Sequence, residues 1–166
     1  MALSSSVLAE LAAALGIATE FWDWKGRLTE ITDETVIAIL AGMDVDASTP
    51  ASAQAALDAH RLRPWTRLLP PCVVMEQGTA KTVQVHLPHG DWVRVSVRLE
   101  EGGWRDAEQV ADDEPPRLVD GVLTGQASFA LPADLPLGYH RLQATTAAGQ
   151  SESTLVVSPA FLGFPA

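Results

Sequence analysis

Apolar positions along the chain keep two different periods. Up to about residue 63 they recur at three- and four-residue intervals, the spacing of one helix face. Val7, Leu8, Leu11 and Leu15 form the first such stripe, behind serines able to cap and ahead of Gly16, a residue suited to a left-handed stop. Val36, Ile37 and Leu40 form a second, with Thr32 as candidate cap, Asp33 and Glu34 in the first turn and Gly42 at its end. A third starts with Thr49 as cap and Pro50 at the first helical position, and runs through Ala55, Ala56 and Leu57 to Arg63, where Pro64 ends it. The segment "IATEFWDWKGRLTEI" between the first two reads as a linker.

From about residue 72 the period changes to two. Val83, Val85 and Leu87 alternate with Thr82, Gln84 and His86; Val93, Val95, Val97 and Leu99 alternate with Trp92, Arg94, Ser96 and Arg98. Glycine-bearing turns separate further expected strands near 104 to 110, 126 to 131, 139 to 146 and 151 to 158. The expected fold class is α+β, mainly β: a helical segment over 1–63 with about three helices, a linker over 64–71, and an immunoglobulin- or fibronectin-like antiparallel β-sandwich over 72–158. Residues 159–166 read as an exit toward a further domain, and the loop "ADDEPPRLVDG" as the most flexible point of the sandwich.

Charge narrows the partners. Twenty-one acidic side chains against eleven basic ones leave a net charge of −10, which disfavours nucleic acid and anionic membranes. Residues 1–62 hold only Lys25, Arg27 and Arg61 as bases, against nine acids, so a helix-turn-helix reader of DNA is disfavoured there too. Cys72 is the single cysteine, so no intrachain disulfide can form, and the cytoplasm suits the chain. No apolar run approaches the ~20 residues of a membrane helix, and no cleaved leader is expected.

Candidate chemistry is sparse. His140, behind Gly138 and Tyr139, invites an active-site reading, yet no acid, nucleophile or oxyanion donor stands near it in sequence. The stretch "LPLGYHRL" instead suits a sandwich corner, where an inward ring bonds backbone a few residues upstream; His140 takes that slot, with Tyr139 as the inward ring if the strand enters through a bulge. His86, His89 and Asp91 cluster in "HLPHGDW", which reads as a hairpin turn whose side chains diverge and not as a metal site. Asp112, Asp113 and Glu114 read as a solvated loop, because adjacent loop carboxylates do not face each other as glycosyl chemistry demands. Cys72 reads as a small buried hydrophobe. No cofactor or metal is implied, and the chain by itself reads as non-catalytic.

Five tryptophans stand out: Trp22, Trp24, Trp65, Trp92 and Trp104. Trp22 and Trp24, with Phe21, are expected to plug the helical part onto the sandwich or onto a neighbouring domain. Trp92 lies on the non-core face of its strand beside Arg94, and with Trp104 forms a candidate carbohydrate platform, since indoles stack on the apolar faces of pyranose rings.

Two stretches together, "LAAALGIATEFWDWKGRLTEITDETVIAILAGMDVD" and "LPADLPLGYHRLQATTAAGQSESTLVVSPAFLGFP", resemble the N-terminal region of bacterial amylomaltases, the 4-alpha-glucanotransferases of glycoside hydrolase family 77, especially the long actinobacterial kind. The resemblance spans nearly the whole chain. It implies a cytoplasmic enzyme that disproportionates maltodextrins by double displacement, with an aspartate nucleophile and a glutamate acid/base. Neither residue carries over, since a catalytic barrel of roughly 250 residues would lie beyond Ala166. The resemblance thus implies a non-catalytic N-terminal region that packs against the barrel of the same polypeptide, shapes access to its glucan site and self-associates as a homodimer; the rival is a starch-type module binding maltodextrin. The apolar run Leu155, Val156 and Val157 is expected to be buried on both faces.

Overall fold

A computed structural model describes residues 5–161. The chain divides between Arg63 and Pro64 into two compact units, and residues 64–71, read from sequence as a linker, belong to the second.

Among the described residues, the first unit holds three helices and one hairpin. Helix α1 spans Ser6–Ala14, α2 Asp33–Gly42 and α3 Pro50–Leu62. Their apolar stripes meet in one core of Leu8, Leu11, Ala12, Val36, Leu40, Ala47, Ala53 and Leu57. An ion pair joins Glu10 on α1 to Arg61 on α3 at 2.8 Å.

The helix ends follow local chemistry. Gly16, with φ of 73°, closes α1: its N–H reaches the Ala13 carbonyl, and Ile17 N–H reaches that of Ala12. Thr32 Oγ1 accepts from Thr35 N–H at the start of α2, and Thr49 and Ser52 exchange side-chain and backbone bonds in a capping box ahead of α3. The left-handed stop after α2 is Asp44 and not Gly42: Asp44 has φ of 59°, and Val45 N–H bonds the Leu40 carbonyl.

The stretch read as a linker between α1 and α2 forms an antiparallel hairpin, β1 (Glu20–Trp22) with β2 (Leu28–Glu30), pairing Trp22 opposite Leu28. Asp23 builds its turn, the carboxylate accepting from the N–H groups of Lys25 and Arg27 at 2.8 Å each. Strands of three residues carry too little alternation to register as a period.

The second unit is a two-sheet sandwich. One sheet has the order β3 (Cys72–Glu76), β11 (Gly149–Ser158), β10 (Gly138–Thr146), β5 (Val93–Arg98), β6 (Trp104–Asp106). The other runs β4 (Lys81–Pro88), β9 (Val122–Leu131), β7 (Glu108–Val110), with β8 (Arg117–Val119) also on β9. All pairs are antiparallel except β3 with β11, which is parallel and departs from the all-antiparallel expectation. Inward residues of both sheets share one core: Val73, Met75, Val95, Val97, Leu142, Ala144, Leu155 and Val157 from the first, Val83, Val85, Phe129 and Leu131 from the second.

Several expectations are corrected. The strand expected over 104–110 breaks at Ala107: β6 pairs with β5, while β7 pairs with β9 in the opposite sheet. The "HLPHGDW" segment is no hairpin either, because β4 and β5 lie in different sheets. The loop over 111–121 is tied down by β8 and by Asp112, whose carboxylate accepts from Ser128 Oγ at 2.6 Å and Gln126 Nε2 at 3.0 Å. Cys72 is exposed, since strict alternation along β3 turns Val73 and Met75 inward and Cys72 out. Leu155, Val156 and Val157 keep alternation as well, with Val156 only half-buried. Residues 162–166 of the expected exit segment lie outside the described residues.

Candidate functional site

The outer face of the five-stranded sheet is read off its register. Trp104, Arg98 and Arg141 stand side by side across β6, β5 and β10; Asp106, Ser96 and Gln143 form the next row; Arg94 and Thr145 form the third. Period-two alternation puts all of them on the face opposite the core. Trp92, just before β5, closes the far end.

Together these residues line an open groove of about 440 Å³ bounded by Trp92 and Trp104, with Arg94, Ser96, Asp106, Gln143 and Thr145 between. Both indoles are open to solvent, Trp92 at 58% and Trp104 at 52% of full exposure. Arg94 Nη2 donates to Asp106 Oδ2 at 2.7 Å, and that hydrogen bond, with the attraction of the carboxylate, holds the guanidinium above its ordinary pKa. Gln143 Nε2 donates to Glu152 Oε1 at 3.1 Å, and Arg98 lies 3.8 Å from the other oxygen of Glu152. Beyond Trp104 a second groove of about 400 Å³ continues, lined by Arg98, Glu100, Tyr139 and Arg141 among others.

Trp92, Arg94 and Trp104, singled out from sequence, thus lie in one groove. Asp106, Gln143 and Thr145 were missed as its members. Asp106 follows Trp104 by two positions and Gln143 follows Tyr139 by four, so period-two alternation could have grouped each with an outward ring, but which strands would be neighbours was not readable.

His140 is 2% exposed and bonded at both ring nitrogens. Nε2 lies 2.8 Å from the Pro136 carbonyl oxygen, and Nδ1 accepts from Glu100 N–H at 3.1 Å. These partners require the neutral tautomer with the proton on Nε2. Tyr139 is 69% exposed and is not the inward ring. The reason is register: Gly138, Tyr139 and His140 pair without a bulge against Val157, Val156 and Leu155, so alternation sends His140 in and Tyr139 out.

The second histidine does something unforeseen. His86 is buried on the outer face of the four-stranded sheet, its ring centroid 4.5 Å from that of Trp65 and its Nε2 3.0 Å from Gln126 Oε1. The Arg117 guanidinium lies over the Trp65 ring, 4.5 Å from its centroid, and is paired with Glu114. Burial, the largest influence, lowers the His86 pKa, while the Gln126 hydrogen bond opposes it. Asp112 is held below the ordinary carboxylate range, first by the Ser128 hydroxyl. His86 and His89 therefore form no joint site with Asp91; among the described residues no group of three His, Cys, Asp or Glu is arranged to hold a metal ion.

Trp22 and Trp24 are 70% and 89% exposed, and Phe21 about half. Among the described residues no helix is long and apolar enough to cross a membrane.

Comparison with known proteins agrees with this architecture. Residues 68–159, more than half of the chain, match the family model described as the MalQ N-terminal beta sandwich domain. The 4-alpha-glucanotransferases of Mycobacterium bovis and Mycobacterium tuberculosis are 42% identical over 159 residues, which cover 95% of this chain and 22% of each enzyme. The crystal structure of amylomaltase from Corynebacterium glutamicum matches with a TM-score of 0.88 and 37% identity, over 95% of this chain and 23% of that one. The chain thus spans less than a quarter of the length of the relatives it matches. By the match over its β-sandwich, the chain belongs to the MalQ N-terminal beta sandwich domain family.

Proposed function

We propose that this chain is the non-catalytic N-terminal region of a 4-alpha-glucanotransferase acting on maltodextrins, and that it packs against the catalytic barrel of the same polypeptide and shapes access to its glucan site. The observation that carries the reading is the β1–β2 hairpin. A two-stranded hairpin is marginal in water on its own, and this one exposes the cross-strand pair Trp22 and Leu28, with Phe21 and Trp24 open to solvent as well. An exposed apolar patch of that kind marks an interaction surface. A cytoplasmic setting belongs to the same reading, supported by Cys72 being the single cysteine. In it His140 serves the fold, tying the β10 corner to the turn after β5. The test is made in the longer enzyme: deleting residues 1–160, or replacing Trp22 and Trp24 together by Ala, lowers the melting temperature and shifts the length distribution of the glucan products. Unchanged stability with unchanged product lengths refutes the reading.

A second reading, a maltodextrin-binding platform, is favoured by one specific observation: Trp92, Trp104 and Arg94 line a single open groove. Tryptophan fluorescence of the chain titrated with maltoheptaose tests it, and a flat trace up to millimolar sugar removes it.

A further inference from the structure

The outer face of the five-stranded sheet has a composition that selects its ligand. Its charges cancel locally: Arg94 is bonded to Asp106 at 2.7 Å, and Arg98 lies 3.8 Å from Glu152. A ligand there meets paired charges and amide and hydroxyl groups, flanked by flat apolar rings. That combination repels neither a neutral nor a hydroxyl-rich molecule, and offers an anion no unpartnered arginine in the first groove.

The spacing adds a second constraint. From Trp92 to the row shared by Arg98 and Trp104 the chain advances six positions, roughly 20 Å at strand rise. A single pyranose ring covers one indole and cannot touch both. Past Trp104 the second groove continues to Tyr139, whose ring is exposed. Trp104 lines both grooves, so one ligand chain passes it from the first into the second.

We infer that this face binds one linear maltodextrin segment of several glucose units, laid from Trp92 across Trp104 to Tyr139, with the Arg94–Asp106 pair and Gln143 hydrogen-bonding its hydroxyls midway. The inference rests on the platform reading and adds to it a direction, a minimum length and a third aromatic contact. The Arg94–Asp106 bond orients both groups before the sugar arrives, which reduces the ordering cost of binding.

The experiment titrates the chain with maltose, maltotriose and maltoheptaose by calorimetry, alongside the variants Trp92→Ala, Trp104→Ala, Tyr139→Ala and Tyr139→Phe. All three positions are solvent-exposed, and circular dichroism confirms that each variant folds. Affinity rises at least about tenfold from maltose to maltoheptaose. Trp104→Ala weakens every sugar; Trp92→Ala and Tyr139→Ala abolish the gain with length; Tyr139→Phe retains it. Equal affinity for maltose and maltoheptaose, or a length gain that survives both end variants, overturns the extended track and leaves the platform reading standing. No binding of any of the sugars overturns both.

Discussion

The two sheets of the sandwich turn very different outer faces to their surroundings. Over the four-stranded sheet the chain lays its own cover: Trp65, in the 3-10 turn Arg63–Thr66, is buried against His86, and the Asp112 loop closes over Gln126 and Ser128. Over the five-stranded sheet Trp92 and Trp104 remain open, with paired charges between them. A buried indole with a packed histidine and a stacked guanidinium contributes to stability. An exposed one contributes almost nothing to the fold and is available to a ligand. The same residue type thus has opposite roles on two sides of one core, and substitutions should separate them.

The largest effect is expected on the covered side. Trp65→Ala empties a buried site and costs about 3–5 kcal/mol, read as a lower midpoint in chemical denaturation, with any maltodextrin affinity of the folded fraction unchanged. Next comes the corner. His140→Ala leaves the Pro136 carbonyl and the Glu100 N–H without their ring partners, and a buried unsatisfied group costs about 1–3 kcal/mol. A fully stable His140→Ala protein with altered glucan binding contradicts the corner role.

Acid sharpens the comparison. His86 has its folded pKa depressed by burial, so the unfolded chain binds the proton more readily. Its contribution to stability is full above the unfolded value of about 6.5 and is lost as pH falls from there through the folded pKa. Asp112, also depressed, adds stability above its unfolded value of about 3.9, lost as pH falls through its lower folded pKa. Denaturation midpoints measured between pH 8 and 5 therefore decline for the parent chain and decline less for His86→Gln.

The smallest effects belong to the open face and to one core hydroxyl. Arg94→Ala breaks a solvent-screened, exposed ion pair, so stability barely moves while maltoheptaose binding weakens. Ser153 Oγ is buried without a hydrogen-bond partner, and Ser153→Ala removes that burden, leaving stability equal or higher by about 1 kcal/mol. A clear loss of stability there shows that the hydroxyl is bonded in solution.

Much of this was legible in the chain because it depends on neighbours in sequence. Thr32 and Thr49 cap the helices they precede, and Val83, Val85 and Leu87 lie on the inner face. The alternation of His140, Leu142 and Ala144 likewise specifies which side of β10 is buried. What escaped was long-range or very short. The β1–β2 hairpin has strands of three residues, too brief for a period to show. The change of sheet at Ala107 and the Trp65–His86 contact depend on which strands become neighbours, and alternation is silent on that. Cys72 was misread because an apolar flank suggests burial, whereas its position in the pleat turns it outward.

Taken alone, the order of residues determined where the helices start and which side of each long strand faces the core. Only the tertiary structure decided which aromatic rings are covered and which lie together in a groove. The reason is physical: a side chain's direction follows from backbone period, a local property, while its burial depends on what strand register and loop path place over it, and those are set by contacts tens of residues apart.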